Sequence, residues 1–86
     1  MRIETIVASN LGRVSVKGVF TSPDTFAIEE AWMVPGDMPE WEAYFHKERR
    51  LTREEITDLA SDEACRAEIH RNARECQREV DFGRGY

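Results

Sequence analysis

Long apolar runs are missing from this 86-residue chain. No stretch approaches the roughly 20 consecutive apolar residues that a membrane-spanning helix needs. The opening "MRIETIVASNLGR" alternates polar and apolar residues where a signal peptide would carry an unbroken apolar core, so a cytosolic protein with no membrane association is expected. Cysteine is scarce. Cys65 and Cys76 are too few for a secreted disulfide scaffold, and on one helix their spacing holds them roughly 16 Å apart, so both are expected as thiols. Basic residues are outnumbered, 12 against 17 acids, for a net charge of −5. That balance disfavours general attraction to nucleic-acid phosphates or anionic lipid and favours a basic protein partner. No cofactor motif is present. The tripeptide "DFG" at 81–83 stands without the glycine-rich loop, strand lysine and catalytic loop that a kinase requires.

Hydrophobic residues make up 41% and charged residues 34%, a balance that suits one folded domain over 1–86 with a small core. Its expected parts are a β-meander over 1–34, a helical part over 38–80 and a flexible tail over 81–86. "RIETIVA" at 2–8 and "RVSVKGVF" at 13–20 read as strands, because β-branched residues dominate and apolar positions recur at every second residue. Asn10 and Gly12 suit a tight connection between them, and Gly18 marks a bulge or a close backbone approach. Residues 25–34 stay open between strand and helix. Strand periodicity gathers Phe26, Ile28, Trp32 and Val34, whereas helix periodicity gathers Ile28, Ala31 and Trp32, so the strand fits better.

Asp37 and Glu40 fit a capping box that starts a first helix near 38–49, with Trp41, Tyr44 and Phe45 on one face. Leu51, Thr52, Glu55 and Ile56 combine a capping box with a hydrophobic staple for a second. The spacing of Cys65, Ile69, Ala73, Cys76 and Val80 makes an apolar stripe out of phase with Ile56 and Leu59, so the helix must break, and Ser61 is the expected N-cap of the third. The fold class that follows is α+β: a small antiparallel sheet of two or three strands followed by three α-helices in two-layer packing.

For chemistry, four residues of metal-ligating type, His46, Cys65, His70 and Cys76, lack the close pairing that begins a tetrahedral site. A thiol on the apolar stripe would be buried and unreactive, and no carboxylate pair shows the convergence that general acid–base work needs, so no catalytic residue is assigned. Two charged surfaces remain. Residues 1–45 hold seven acids against three bases and residues 46–86 hold ten against nine. Glu29, Asp37, Glu40 and Glu42 therefore outline an acidic patch able to imitate phosphates, set against the plainer reading of a charged, soluble sheet edge. Arg71, Arg74 and Arg78 form a row on the last helix, set against a solvated helix laced by pairs such as Arg71 with Glu75.

"LTREEITDLA" is similar to the opening of many helix-turn-helix DNA-binding segments, which implies contacts from Arg66, His70, Arg71 and Arg74; the expected turn glycine is absent, and two acids, Asp62 and Glu63, open the second helix. In size, acidity and lack of a catalytic motif the chain resembles the small inhibitors encoded by phages and mobile elements, anti-CRISPR proteins among them, a resemblance of type that rests on no motif. It implies a non-enzymatic protein–protein binding module occupying a basic surface of its target, such as a nucleic-acid-binding protein or complex. The alternative is a nucleic-acid-binding regulator using the arginine row. The aromatics Trp32, Trp41, Tyr44 and Phe45 are expected in the core, and any found exposed becomes a binding candidate. The thin stripe of the last helix also allows a homodimer seam.

Overall fold

The computed structural model describes residues 2–84, with side chains as far as Arg78. The chain is α+β, with strands β1 (Ile3–Ser9), β2 (Gly12–Ser22) and β3 (Thr25–Met33) followed by a short helix α1 (Glu40–Ala43). A two-residue strand β4 (Arg49–Arg50) and helices α2 (Arg53–Ser61) and α3 (Glu63–Arg84) complete it. The sheet is antiparallel in the order β1-β2-β3-β4.

Within the open stretch 25–34, Thr25–Met33 is strand, as the period of two predicts, because β3 pairs with β2 from end to end apart from Glu29. The first hairpin turns at Asn10 and Leu11, and Gly12 leaves it with φ 116°, a left-handed value that glycine adopts without cost. At Gly18 both sequence readings hold together. The β2–β3 register shifts between Lys17 and Gly18, and a Cβ there would lie 2.0 Å from the Ala27 carbonyl oxygen.

Adjacent strand residues point to opposite faces, and here each face finds partners. Val7, Val14, Val16 and Ala31 pack with Leu51, Leu59, Cys65 and Ile69 from the helical part. Ile6, next to Val7, joins Val34 and Ala43 in a second cluster flanked by Met38 and Tyr44. The free edge of β1 meets α3, where Asn72 Nδ2 donates to the Ile6 carbonyl at 3.5 Å.

The strand count is four, not two or three. Arg49 and Arg50 carry no strand pattern of their own; they become β4 because the edge of β3 offers unpaired backbone groups. Glu48 N–H donates to the Met33 carbonyl and Leu51 N–H to that of Ala31, each at 2.8 Å. This pull also corrects the first helix. It spans Glu40–Ala43 rather than 38–49, its N-cap is Pro39 with no side-chain cap, and the Asp37–Glu40 capping box does not form. The chain then tightens into three-residue turns, Phe45 N–H to the Glu42 carbonyl at 3.0 Å and His46 N–H to that of Ala43 at 3.1 Å.

The break between α2 and α3 is where the change of phase requires it, but the cap is Asp62 instead of Ser61. Asp62 Oδ1 accepts from Cys65 N–H at 3.1 Å, while the Ser61 hydroxyl turns back to the Thr57 carbonyl at 2.8 Å. The capping box of Thr52 and Glu55 forms in full. Leu51 and Ile56, its staple, both pack on the main cluster. Helix α3 continues past Val80 to Arg84; the side chains of Glu79 and Val80, and residues 85–86 of the expected tail, lie outside what is described. Among the described residues no helix is long and apolar enough to cross a membrane.

Candidate functional site

Helix α1 is short enough that its two sides are easily separated. Ala43 is fully buried and Tyr44 half-buried, whereas Trp41 on α1 and Phe45 in the turn that follows it are both exposed. Their exposures are 70% for Trp41 and 82% for Phe45. The expectation that both belong to the core is therefore corrected. A single turn of helix has room to bury only one side, and the charged run from His46 to Arg50 offers no further apolar repeat to carry the aromatic face inward. Together the two rings present on the order of 300 Å² of apolar surface to solvent.

Two sets of contacts hold this surface in place. Before α1, the Arg13 guanidinium donates to the carbonyls of Pro35, at 3.4 Å, and Met38, staking down the loop that launches the helix. After it, Lys47 Nζ lies 2.9 Å from Glu4 Oε1 and 4.3 Å above the centroid of the Trp32 ring. Glu4 also accepts from the fully buried Ser15 hydroxyl at 2.8 Å, so the chain downstream of Phe45 is tied to the centre of the sheet. On the inner side, burial raises the Tyr44 phenol above its ordinary range.

The sequence-derived acids divide between two places. Asp37, Glu40 and Glu42 sit in the loop and first turn around Trp41. Glu29 lies at the bulge of β3, about 16 Å of strand away from Val34 at ~3.3 Å per residue, and is paired with Arg2 at 2.8 Å. Three of the four acids thus rim the aromatic pair and one does not. Two cations lie close by: Lys47 is engaged by Glu4, and Arg13 by the backbone carbonyls of Pro35 and Met38, so three acids stand against one cation without a carboxylate partner among the described residues.

The arginine row falls elsewhere, along the β2–β3 hairpin. Arg74 Nη2 donates to the Pro23 carbonyl at 3.0 Å, and Arg74 and Arg78 line a cleft of about 410 Å³ with Phe20 and Ser22. Arg71 is exposed on the same helix outside that cleft. The expected lacing of Arg71 with Glu75 is not among the ion pairs of the described residues, which are Arg2–Glu29, Lys47–Glu4, Arg49–Glu55 and Arg50–Glu30.

No protein-family model, curated protein or solved structure matches this chain.

Among the described residues no group of three or more His, Cys, Asp or Glu side chains is placed to hold a metal. Cys65 is buried and burial pushes its thiol up, which removes nucleophilic character; Cys76 is half-buried, and no disulfide joins them. The His70 ring meets Phe20 edge-on at 5.4 Å, turned toward the protein's own hairpin. The aromatic surface could have been anticipated from one signal: between Pro39 and the charged run at 46–50 the sequence has apolar residues for one turn only.

Proposed function

We propose that this protein is a non-enzymatic binding module that acts in the cytosol by docking on a protein partner through Trp41 and Phe45. The exposure of both rings, on a short helix and the turn after it, with the chain tied down on either side, carries the reading. Tryptophan and tyrosine-like anchors dominate interface energetics because they bury large area at small entropic cost, and a pre-positioned pair reduces that cost further. The acids Asp37, Glu40 and Glu42 around them complement a basic rim, so the partner fits as a protein with an apolar pocket among lysines and arginines. Occupying such a surface is also how the small inhibitors that the chain resembles in type would act. The sheet, backed by α2 and α3, serves as the platform.

A nucleic-acid-binding regulator using Arg71, Arg74 and Arg78 is less supported. Of the four contacts a helix-turn-helix would need, His70 faces Phe20 and one Arg74 nitrogen is bound to the Pro23 carbonyl, which leaves Arg66 and Arg71 as the exposed pair, unengaged among the described residues. Of the apolar stripe that would make a homodimer seam, Cys65, Ile69 and Ala73 are core and Cys76 is half-buried, while the Val80 side chain lies outside the described residues.

The test is affinity capture from a lysate with and without nuclease, comparing wild type, Trp41→Ala/Phe45→Ala, and Asp37, Glu40 and Glu42 changed to Asn or Gln. Nuclease-resistant capture of one protein is expected, weakened about 30-fold or more by the aromatic double variant and less by the amide variant. Capture that vanishes with nuclease and survives both variants overturns the proposal.

A further inference from the structure

The cleft between α3 and the β2–β3 hairpin has a chemistry opposite to that of the docking surface. It is an open groove of about 410 Å³ lined by Phe20, Ser22, Pro23, Arg74, Gln77 and Arg78, with no acid among the described residues that line it. Arg2, Lys47, Arg49 and Arg50 are held by carboxylates. Among the described residues no carboxylate lies within ion-pair distance of Arg74 or Arg78. Arg74 is pre-oriented as well, because one of its terminal nitrogens is held by the Pro23 carbonyl at 3.0 Å, leaving its other N–H groups for a ligand.

We propose that this cleft binds a small organic phosphate monoester. Two guanidinium groups, a hydroxyl and a side-chain amide supply more donors than one carboxylate can accept, and they match the three oxygens of a phosphate dianion. The forked geometry of arginine favours such bidentate contacts. Phe20 and Pro23 give the cleft an apolar wall, which an organic body fills and a bare phosphate ion does not. A long polyanion is disfavoured, since the acids Asp24 and Glu63 line the adjoining cleft, at the end where Arg66 and His70 lie, and the protein as a whole is negative. The site is independent of Trp41 and Phe45, and the two proposals stand or fall separately.

Titration of the full chain, followed by amide and guanidinium chemical shifts, tests it with inorganic phosphate, phenyl phosphate, a nucleoside 5′-monophosphate, phosphoserine and a short single-stranded oligonucleotide. Saturable shifts at Ser22, Gln77 and the Arg74 and Arg78 Nε–H groups are expected with the organic monoesters, which should bind more tightly than inorganic phosphate. Arg74→Gln or Arg78→Gln should weaken them about tenfold. Arg71→Gln, which removes the same charge from the same helix outside the cleft, should leave affinity within about twofold. Circular dichroism of each variant separates lost binding from lost folding. Equal binding of inorganic phosphate and the organic monoesters, equal effects of the Arg71 and Arg74 substitutions, or a preference for the oligonucleotide that disappears with salt would each overturn the proposal.

Discussion

Replacing Gly18 with alanine sets a methyl carbon 2.0 Å from the Ala27 carbonyl oxygen, a backbone atom fixed by the pairing of β2 with β3. Backbone cannot swing aside as a flexible side chain would. Gly18→Ala should therefore cost about 3 kcal/mol, at the upper end of overpacking effects, and lower the midpoint of a thermal or urea melt accordingly. At Glu55 the question is one of charge. Its carboxylate receives Arg49 Nη1 and Nη2 at 2.8 and 2.9 Å and the Thr52 N–H at 2.9 Å, which lowers its pKa from the ordinary 4.5 to about 2. A folded-state value below the unfolded one means stabilisation that is complete above about 4.5 and lost as pH falls through about 2. Carboxyl carbon shifts should place the Glu55 midpoint near about 2 in the wild type and move it toward 4.5 in Arg49→Ala. A midpoint unchanged by that substitution would show that the Arg49 contact is not the cause.

Among the elements, those specified locally were legible and those specified by partners were not. The three long strands follow from alternation of β-branched residues, and α2 from Leu51, Thr52, Glu55 and Ile56, because each signal is satisfied by residues a few positions apart. Strand β4 has no such signal: Arg49 and Arg50 become strand only because β3 has an open edge at Trp32 and Met33. The same competition cut α1 short and left Trp41 and Phe45 outside, so the three acids around the candidate site were read from the sequence while its aromatic centre was assigned to the core. At the junction of α2 and α3, Ser61 and Asp62 were both acceptable caps by type; the geometry selects the one whose oxygen reaches Cys65 N–H. Asp62→Ala should then destabilise by about 1 kcal/mol in urea unfolding, and Ser61→Ala, whose hydroxyl bonds within α2, by clearly less. Arg13→Ala should release the loop at 35–38 and speed hydrogen exchange in α1 while leaving that of β2 and β3 unchanged.

For the molecule as a whole, opposite requirements are met in separate regions. Residues that stabilise the fold lie in the main cluster with α2 and α3 and in the smaller one around Ala43, whereas those offered to partners lie at the rims, at Trp41 and Phe45 and beside the hairpin. Changing Trp41 and Phe45 together to serine should accordingly leave the melting midpoint almost unmoved, since exposed substitutions fall within about 0.5 kcal/mol. The same change should reduce concentration-dependent association in sedimentation velocity, because it removes an apolar patch from a surface otherwise kept apart by a net charge of −5. A large drop in stability would mean that these rings contribute to the core after all. The placement of the two tryptophans has an optical consequence. Trp32 lies half-buried beneath the Lys47 ammonium and Trp41 is open to water, so their emission should differ in wavelength and in access to iodide. A partner that covers α1 should shift the redder, quencher-accessible component to the blue and leave the other alone, and unfolding should merge the two. Intrinsic fluorescence can therefore distinguish occupancy from denaturation without a label.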